Sequence, residues 1–316
     1  MKLIFFILLS FSFLHAQENY VATRIIELTI DASINPSTLE YIKQAQDKYC
    51  HQKELFLIKI NTPGGLVSTT KEIITTIGKS SCPFAVWVYP DGASASSAGA
   101  IIGAGAHFLF MSQSSNIGAA TPITSSGDIA ESDSRNKAIN DLSALVRSLA
   151  KDHNRNVSGF EKMIQKADSF DAKEALSQKI IDGIISSKEE LTTFLQNKTF
   201  RIGDKHYSLQ INSPDTLSVE MSAGNKLLNF LANPSLAYVL FLLSLALFYF
   251  EFQAPGGFIA GSVGGIFLLI SGISFQVLPI NIGSIFLIIL AFILFFLELF
   301  IVSYGLLSIA GIVSLV

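Results

Sequence analysis

The first stretch of this sequence that could do chemistry is a serine-rich turn, residues 91–99, which reads DGASASSAG. It follows an apolar stretch with the composition of a strand, Phe84–Tyr89, and precedes a run of small residues with a helical pattern, Ala98–Ala106. Small residues let the chain turn sharply and let a substrate carbonyl approach, and the amides that open a helix favour negative charge. The pattern is typical of a nucleophilic serine, with a turn without chemistry as the alternative.

A glycine-containing loop of the same design lies upstream. An apolar strand, Glu54–Ile60, ends in Pro63-Gly64-Gly65, and a helix is predicted to begin at about Ser68. Two glycines at the end of a strand present backbone amides in conformations that other residues rarely adopt, which suits an oxyanion hole. Because both loops follow strands, a parallel sheet would bring them together at one edge.

Three features of the sequence together resemble a known family. They are the element TPGG at residues 62–65, the serine motif at 92–99, and Lys137, which follows a polar loop that contains glycine. These features resemble the ClpP-like serine peptidases of the crotonase-type fold, and more closely the NfeD family of membrane-bound serine proteases. The hallmarks of that family are TPGG, a GASAASAG-like motif and a Ser–Lys dyad. The TPGG element is intact here, and the serine motif differs at Ser96, where alanine is common.

The resemblance implies a role for each residue of these motifs. Ser97 would be the nucleophile and Lys137 the base, since Lys137 stands eleven residues before a Ser-Leu-Ala element, as in the family. Lys151 is the alternative base. The polar loop 124–136 is predicted to be mobile, so the base would be positioned only when substrate binds. To act as a base a lysine must also be partly desolvated, which lowers its pKa. The other expected site residues are the oxyanion-hole amides of Gly65 and Ala98 and the substrate-cleft residues Gly64, Ile117 and Gly118.

The elements around these loops alternate between strands and helices. The predicted strands are Thr23–Ile30, Leu55–Ile60, Phe84–Tyr89 and His107–Met111, with a hairpin over Thr199–Ile211. The predicted helices are Asn35–Cys50, Ser68–Gly78, Ser97–Gly105 and Lys137–His153. This order predicts an α/β fold with a ClpP/crotonase-like parallel-sheet domain, and catalytic loops at the carboxyl ends of its strands. A multi-helix transmembrane region is expected to follow.

Composition supports a membrane protein with an exported domain. The chain has 316 residues, of which 50% are hydrophobic and 15% charged, and its mean hydropathy is +0.47. Residues 1–16 read as a signal peptide, with one early lysine, a short apolar core and a small residue at the end. Residues 17–211 are predicted to form the protease domain, 212–235 a linker and 236–316 the transmembrane region.

The transmembrane region is predicted to hold about four helices. The apolar runs are Leu236–Phe252, Phe258–Leu278, Ile285–Val302 and Leu306–Val316, and the last is shorter than a full span. Glu251 and Glu298 are the charges in this region. Two interpretations of them stay open: functional carboxylates within the membrane, or caps and topology markers at its surface.

Other function classes find little support in the sequence. The net charge of -3 gives no sign of nucleic-acid binding. The five histidines have no metal-ligand spacing, and neither a metal nor a nucleotide cofactor is expected. Cys50 and Cys82 are predicted to be buried thiols, and a single bridge between them in an oxidising compartment is the alternative.

These expectations combine into a membrane-anchored, extracytoplasmic serine endopeptidase in the cell membrane. By resemblance its substrates are hydrophobic peptide segments of a stomatin-like membrane partner, and it forms a homo-oligomer, at least a dimer. Two alternatives belong to other classes. One is a non-catalytic scaffold for stomatin-like proteins, and the other is an acyl-transfer enzyme of the crotonase type.

Overall fold

The computed structural model describes residues 18–124, 127–128, 133–231, 234–253 and 258–277, with 287, 290–291, 293–295, 297–298, 303 and 305–315. The predicted signal peptide lies outside these residues, as do residues 125–126 and 129–132 of the loop 124–136. Contacts divide the chain into one unit that ends at Asn225 and a second that begins at Lys226. The two units are described separately.

A seven-stranded, mostly parallel sheet forms the centre of the first unit. Its strands are β1 (Glu18–Asp31), β2 (Glu54–Asn61), β3 (Phe84–Val88), β5 (Phe108–Met111), β10 (Gly183–Ile184), β11 (Thr199–Ile202) and β12 (Lys205–Val219). The order is β10-β5-β3-β2-β1-β12-β11, and only the β11–β12 pair of this sheet is antiparallel. The predicted α/β fold with a parallel sheet is confirmed.

Short strands and helices complete the first unit. The remaining strands are β4 (Ser94–Ser96), β6 (Asn116–Gly118), β7 (Ile123–Thr124), β8 (Gly127–Asp128) and β9 (Ser169–Asp171), of which β4, β6 and β9 form a small second sheet. The helices of this unit are α1 (Pro36–Tyr49), α2 (Val67–Gly78), α3 (Ala98–Gly105), α4 (Asp133–Asp152), α5 (Val157–Gln165), α6 (Ala172–Ser177) and α7 (Lys188–Leu195), and α8 (Ala223–Leu231) contains the boundary between the two units.

Both faces of the large sheet are buried, because successive side chains of a strand point to opposite faces. In β2, Phe56 and Ile58 pack into one apolar cluster, whereas Leu55 and Leu57 pack into the other. A strand that is apolar at nearly every position is therefore what the sheet requires. This explains why the stretch 55–60 is a continuous apolar run with one lysine.

The structure changes three of the sequence-based expectations. Residues 212–219, expected in the linker, continue β12, and Asp215–Val219 pair in parallel with Arg24–Leu28 of β1. Helix α4 begins at Asp133, so Lys137 lies inside the helix and not at its start. Cys50 and Cys82 are joined in a disulfide and are not free thiols, since the end of α1 and the start of β3 bring their Cα atoms within 5.9 Å.

The second unit contains apolar helices: α9 (Pro234–Gln253), α10 (Ile259–Val277) and α11 (Leu306–Leu315). Among the described residues, one helical segment, Leu236–Gln253, has the length and composition needed to span a membrane. Ile259–Gly272 is a shorter apolar helix. Within the predicted third run, the described residues between 287 and 298 are helical.

Candidate active site

Ser97 stands in a strained backbone conformation directly before α3. Its φ is +50° and its ψ is -108°, which residues with a side chain rarely adopt. The Ser97 amide donates to the carbonyl of Gly118 over 2.9 Å, and this bond holds the turn against β6. A strained serine between a strand and a helix is the geometry of a nucleophile whose hydroxyl is presented to a substrate.

The hydroxyls of the neighbouring serines are engaged with each other. Ser94 Oγ and Ser96 Oγ lie 2.6 Å apart in β4, whereas the Ser97 hydroxyl makes no hydrogen bond within the described part of the chain. Ser97 is also only half-buried, so part of it is accessible to solvent. Of the three serines, Ser97 is therefore the one whose hydroxyl is available for a reaction.

Gly64 lies directly against Ser97, as the sequence predicted for two loops that follow neighbouring strands. A Cβ atom at Gly64 would lie 2.9 Å from Ser97 Cβ and 3.3 Å from Ser97 Oγ. The φ of Gly64 is +131°, in the region that favours glycine. A side chain here would fill the space over the hydroxyl, so the glycine keeps the approach to Ser97 open.

Hydrogen bonds between the end of β2 and β4 bring the two loops together. The Thr62 amide donates to the carbonyl of Ser94 over 2.7 Å, and the Ser96 amide donates to the carbonyl of Thr62 over 3.1 Å. Thr62 Oγ1 also accepts from the amide of Gly64 and donates to its carbonyl. On the other side, the Ile34 amide donates to the Gly64 carbonyl over 2.8 Å. The glycine loop is thus fixed from both sides.

The amides of Gly65 and Ala98 have the availability that an oxyanion hole needs. Neither donates a hydrogen bond to any of the described residues, whereas the Gly64 amide is occupied by Thr62 Oγ1. Ala98 is the first residue of α3, where the unsatisfied amides and the helix dipole favour a negative charge. Gly65 has no room for a side chain, since a Cβ atom would lie 2.1 Å from the carbonyl oxygen of Ile34.

The two remaining residues predicted for the substrate cleft, Ile117 and Gly118, lie in β6, which pairs with β4. Ile117 is fully buried in the core, so its side chain does not line a cleft and its backbone alone could face a peptide. Gly118 has a φ of +143°, and a Cβ atom there would lie 2.3 Å from the carbonyl oxygen of Asp168. Gly118 therefore lets β6 and β9 approach closely behind Ser97.

No hydrogen bond among the described residues joins Lys137, the expected base, to Ser97. Lys137 lies in α4 with its side chain exposed. The alternative base, Lys151, is exposed as well, in the last turn of the same helix. The structure thus brings together the serine and the glycine loop, and the Ser–Lys dyad stays a prediction.

Arg155 is a buried residue to which no motif in the sequence assigned a role. Its Nη1 donates to three carbonyls at the end of α3, those of Gly103, Ala104 and Ala106, at 2.9 to 3.2 Å. Its Nη2 pairs with Asp182 Oδ2 at 2.8 Å. A cation at the carboxyl end of a helix is favourable, and here it holds the helix that begins next to Ser97.

Two largely buried histidines lie beside Arg155, away from Ser97. The His107 and His153 rings are 5.6 Å apart, and His107 Nδ1 accepts from the amide of Phe84. Burial, with the charge of Arg155, lowers the pKa of His107 to about 4 and that of His153 to about 3. Both are neutral at pH 7. Across the described residues, no group of histidine, cysteine or acidic side chains could hold a metal.

Comparisons with known proteins find relatives in sequence and in fold. The curated relative is the membrane-bound protease PH1510 of Pyrococcus horikoshii, 30% identical over 268 residues that make up 83% of this chain and 60% of the relative. The chain thus spans about 60% of that relative's length.

Two solved structures of its protease region match the fold. A lysine-to-alanine mutant of the 1510-N membrane-bound stomatin-specific protease, in complex with a substrate peptide, matches with a TM-score of 0.60 and 27% identity, over 66% of this chain and 97% of that one. A serine-to-alanine mutant matches with a TM-score of 0.58 and 27% identity, over 64% of this chain and 100% of that one.

Two family descriptions cover most of the chain. Residues 24–204 match the NfeD1b N-terminal domain, and residues 235–316 match the NfeD integral membrane domain. The first match ends before β12, and the second begins at α9. The resemblance drawn from TPGG and the serine motif is confirmed, and the chain belongs to the NfeD family.

Proposed function

We propose that this chain is a membrane-anchored serine endopeptidase that uses Ser97 as its nucleophile and Lys137 as its base. The observation that carries the proposal is the strained Ser97, with an unengaged hydroxyl, packed against Gly64 at the start of α3. The relative that matches most of this chain is named a protease. That name supports a peptidase, and it gives no support to a scaffold or to an acyl-transfer enzyme.

The proposed reaction follows from the groups around Ser97. The hydroxyl passes its proton to Lys137 as its oxygen attacks the peptide carbonyl, and an acyl-enzyme forms when the bond to the leaving amine breaks. The lysine returns that proton to the amine, and water then hydrolyses the ester. The amides of Gly65 and Ala98 stabilise the negative oxygen of each tetrahedral intermediate. No metal or other cofactor takes part in these steps.

The exposed position of Lys137 requires a further step in this proposal. A lysine loses its proton near neutral pH only when its charged form is desolvated. We therefore propose that the bound peptide, or a second copy of the chain, covers the first turns of α4. If a second copy covers Lys137, the active form is a homo-oligomer, at least a dimer.

The proposed substrate is a hydrophobic peptide segment of a stomatin-like membrane protein. The support is that 1510-N is named stomatin-specific and was solved with a substrate peptide.

The proposed site of action is outside the cytoplasm, with the chain crossing the membrane several times. The disulfide between Cys50 and Cys82 supports export, because disulfides persist in oxidising compartments.

Labelling with a fluorophosphonate probe tests the nucleophile. The wild-type chain should react with the probe, and Ser97→Ala should not react at all. Ser96→Ala is the matched control, because its hydroxyl is engaged with Ser94 and its loss leaves the turn in place. If Ser96→Ala loses labelling while Ser97→Ala is still labelled, the nucleophile is Ser96 and the proposed assignment is wrong.

Fusions to a phosphatase that is active only outside the cytoplasm test the orientation. A fusion after Ser222, beyond the end of β12, should be active, and one after Gln253, at the end of α9, should be inactive. The Ser222 junction leaves the complete sheet intact, which a junction within β12 would not. An inactive Ser222 fusion would place Ser97 in the cytoplasm and refute the export proposal.

A further inference from the structure

Glu251, near the end of α9, reaches forward to the start of the next helix. Its Oε1 accepts from the amide of Phe258 over 3.0 Å, and its Oε2 accepts from the amide of Gly261 over 3.1 Å. The two donors stand seven and ten residues after the glutamate. One carboxylate therefore satisfies two of the free amides that open α10.

Glu298 makes the same pair of contacts in the next part of the chain. Its Oε1 accepts from the amide of Gly305 over 2.8 Å, and its Oε2 accepts from the amide of Ser308 over 3.1 Å. These donors again stand seven and ten residues after the glutamate, and they open α11. The Ser303 hydroxyl also bonds to Glu298, a contact that the matching residue Gly256 has no side chain to make.

A glycine thirteen residues after each glutamate packs on the helix that carries that glutamate. A Cβ atom at Gly264 would lie 3.1 Å from the carbonyl oxygen of Ser244 and 3.5 Å from the amide nitrogen of Phe248. A Cβ atom at Gly311 would lie 3.0 Å from the ring of Phe295. Phe248 and Phe295 both stand three residues before their glutamates. In each case a small residue lets two helices approach closely.

The pattern of buried and exposed residues also repeats after 47 residues, which is the separation in sequence between Glu251 and Glu298. Ser244 and Ala291 are both fully buried, whereas Ile259 and Leu306, each the eighth residue after its glutamate, are 74% and 70% exposed. Within the aligned segments 244–264 and 291–311, the identical pairs are Leu247 with Leu294, Phe248 with Phe295, Glu251 with Glu298 and Gly264 with Gly311.

We infer that segments 244–264 and 291–311 are two copies of one helix–turn–helix unit, each closed by a glutamate. The contacts are repeated although few residues are identical, because only the carboxylate, the glycine and its neighbours are required. In an apolar surrounding, unsatisfied amides are costly, so a carboxylate at the turn stabilises the hairpin. Each unit returns the chain to the side from which it came.

The repeat has a consequence for topology, which rests on the proposed membrane crossings. Both glutamate turns lie on one side of the membrane, and the end of α10 at Val277 lies towards the other. Given the proposed export, the turns are cytoplasmic. The glutamates thus act as helix caps in both copies and not as a proton path or ligand site.

Cysteine labelling of the full chain tests the shared side of the two turns. Single variants Ile259→Cys, Leu306→Cys and Asn281→Cys are treated with a membrane-impermeant maleimide, in intact cells and after permeabilisation. The wild-type chain, whose two cysteines are bonded to each other, is the unlabelled control. The first two variants should react only after permeabilisation, and Asn281→Cys should react in intact cells.

The outcomes separate the repeat from the proposed export. If Ile259→Cys and Leu306→Cys react alike in intact cells, and Asn281→Cys only after permeabilisation, the repeat holds and the export proposal fails. If the first two variants differ from each other, or all three react alike in intact cells, the inference is overturned.

Substitution of each glutamate tests the equivalence of the two caps. Glu251→Gln and Glu298→Gln each keep one acceptor oxygen of two, so both should lower the thermal unfolding temperature of the detergent-solubilised chain by a similar number of degrees. Glu72→Gln, on the surface of α2, is the control and should leave it unchanged. A fall in only one of the two glutamate variants would contradict the repeat.

Discussion

At the scale of single residues, the environment of a side chain separates chemically identical groups. Ser94, Ser96 and Ser97 carry the same hydroxyl, but two of them hydrogen-bond to each other and the third stands on a strained turn. The glycine opposite that turn leaves the third hydroxyl uncovered. In the proposed mechanism, the reactivity of Ser97 therefore depends on the absence of a hydrogen-bond partner and of a covering side chain.

The role of Lys137 is the residue-scale prediction. Lys137→Ala should reduce cleavage of a hydrophobic peptide on the order of 10³-fold, because a serine without its base is a weak nucleophile. Lys137→Arg should not restore activity, since a guanidinium stays protonated. The measurement is the cleavage rate of a fluorogenic peptide by the full chain across pH 6 to 10.

Lys151→Ala is the control for this prediction, because Lys151 is equally exposed on the same helix. It should retain cleavage at the wild-type rate. An active Lys137→Ala, with an inactive Lys151→Ala, would transfer the role of base to Lys151.

At the scale of elements, α3 connects the proposed nucleophile, Ser97, with a distant charge. The helix has eight residues, all of them buried, and no side chain caps its first turn. Its last carbonyls converge on the buried guanidinium of Arg155, which Asp182 balances. The orientation of the Ala98 amide therefore depends on a residue at the other end of the helix.

Arg155→Lys tests this dependence. An ammonium cannot reach three carbonyls and a carboxylate in the geometry of a guanidinium, so α3 should shift while the fold is kept. We expect fluorophosphonate labelling of Ser97 to slow on the order of tenfold, as small displacements of catalytic groups have large effects on rate. The measurement is the labelling rate, beside the circular dichroism spectrum of the same sample.

Arg147→Lys is the matched variant for this comparison. Arg147 pairs with Glu161 on the surface of α4 and has no contact with α3 among the described residues. Its labelling rate should equal that of the wild type. Equal rates for Arg155→Lys and the wild type would mean that Arg155 has no influence on the position of Ser97.

The sequence predicts most elements of the first unit and the meeting of its two loops, because these follow from local patterns. Apolar runs, glycines and the order of strands are enough to bring Gly64 to Ser97. It does not predict the long pairing of β12 with β1, or the pairing of Cys50 with Cys82, since both join residues that are distant in sequence. Nor does it show that Arg155 is buried, because all but one of the partners of Arg155 are backbone carbonyls and the other, Asp182, is 27 residues away in sequence.

At the scale of the whole molecule, the two histidines make stability depend on pH. His107 and His153 have lowered pKa values in the folded chain, about 4 and about 3, against an ordinary value of about 6.5. At a pH between the pKa of a histidine in the folded chain and its ordinary pKa, that histidine binds more protons in the unfolded chain than in the folded chain. The stability is therefore complete above pH 6.5 and falls as the pH drops towards 4.

The pH prediction concerns the slope of this loss. The free energy of unfolding should fall by up to about 1.4 kcal/mol per pH unit for each histidine below pH 6.5. Chemical denaturation of the solubilised chain at pH 7.5, 6.0 and 5.0 measures it. His153→Gln should reduce the slope, and His51→Gln, at an exposed position, should not. A slope unchanged in His153→Gln would contradict this origin of the pH dependence.

The covalent bond between Cys50 and Cys82 adds a term that acts on the unfolded chain. The bond closes a loop with a sequence separation of 32, which contains β2, the glycine pair and α2. Closing a loop of this size removes conformational freedom worth about 4 kcal/mol from the denatured ensemble. The same amino-acid sequence would therefore be less stable where thiols stay reduced. The folding free energy of the domain that holds Ser97 is thus set partly by the compartment in which it folds.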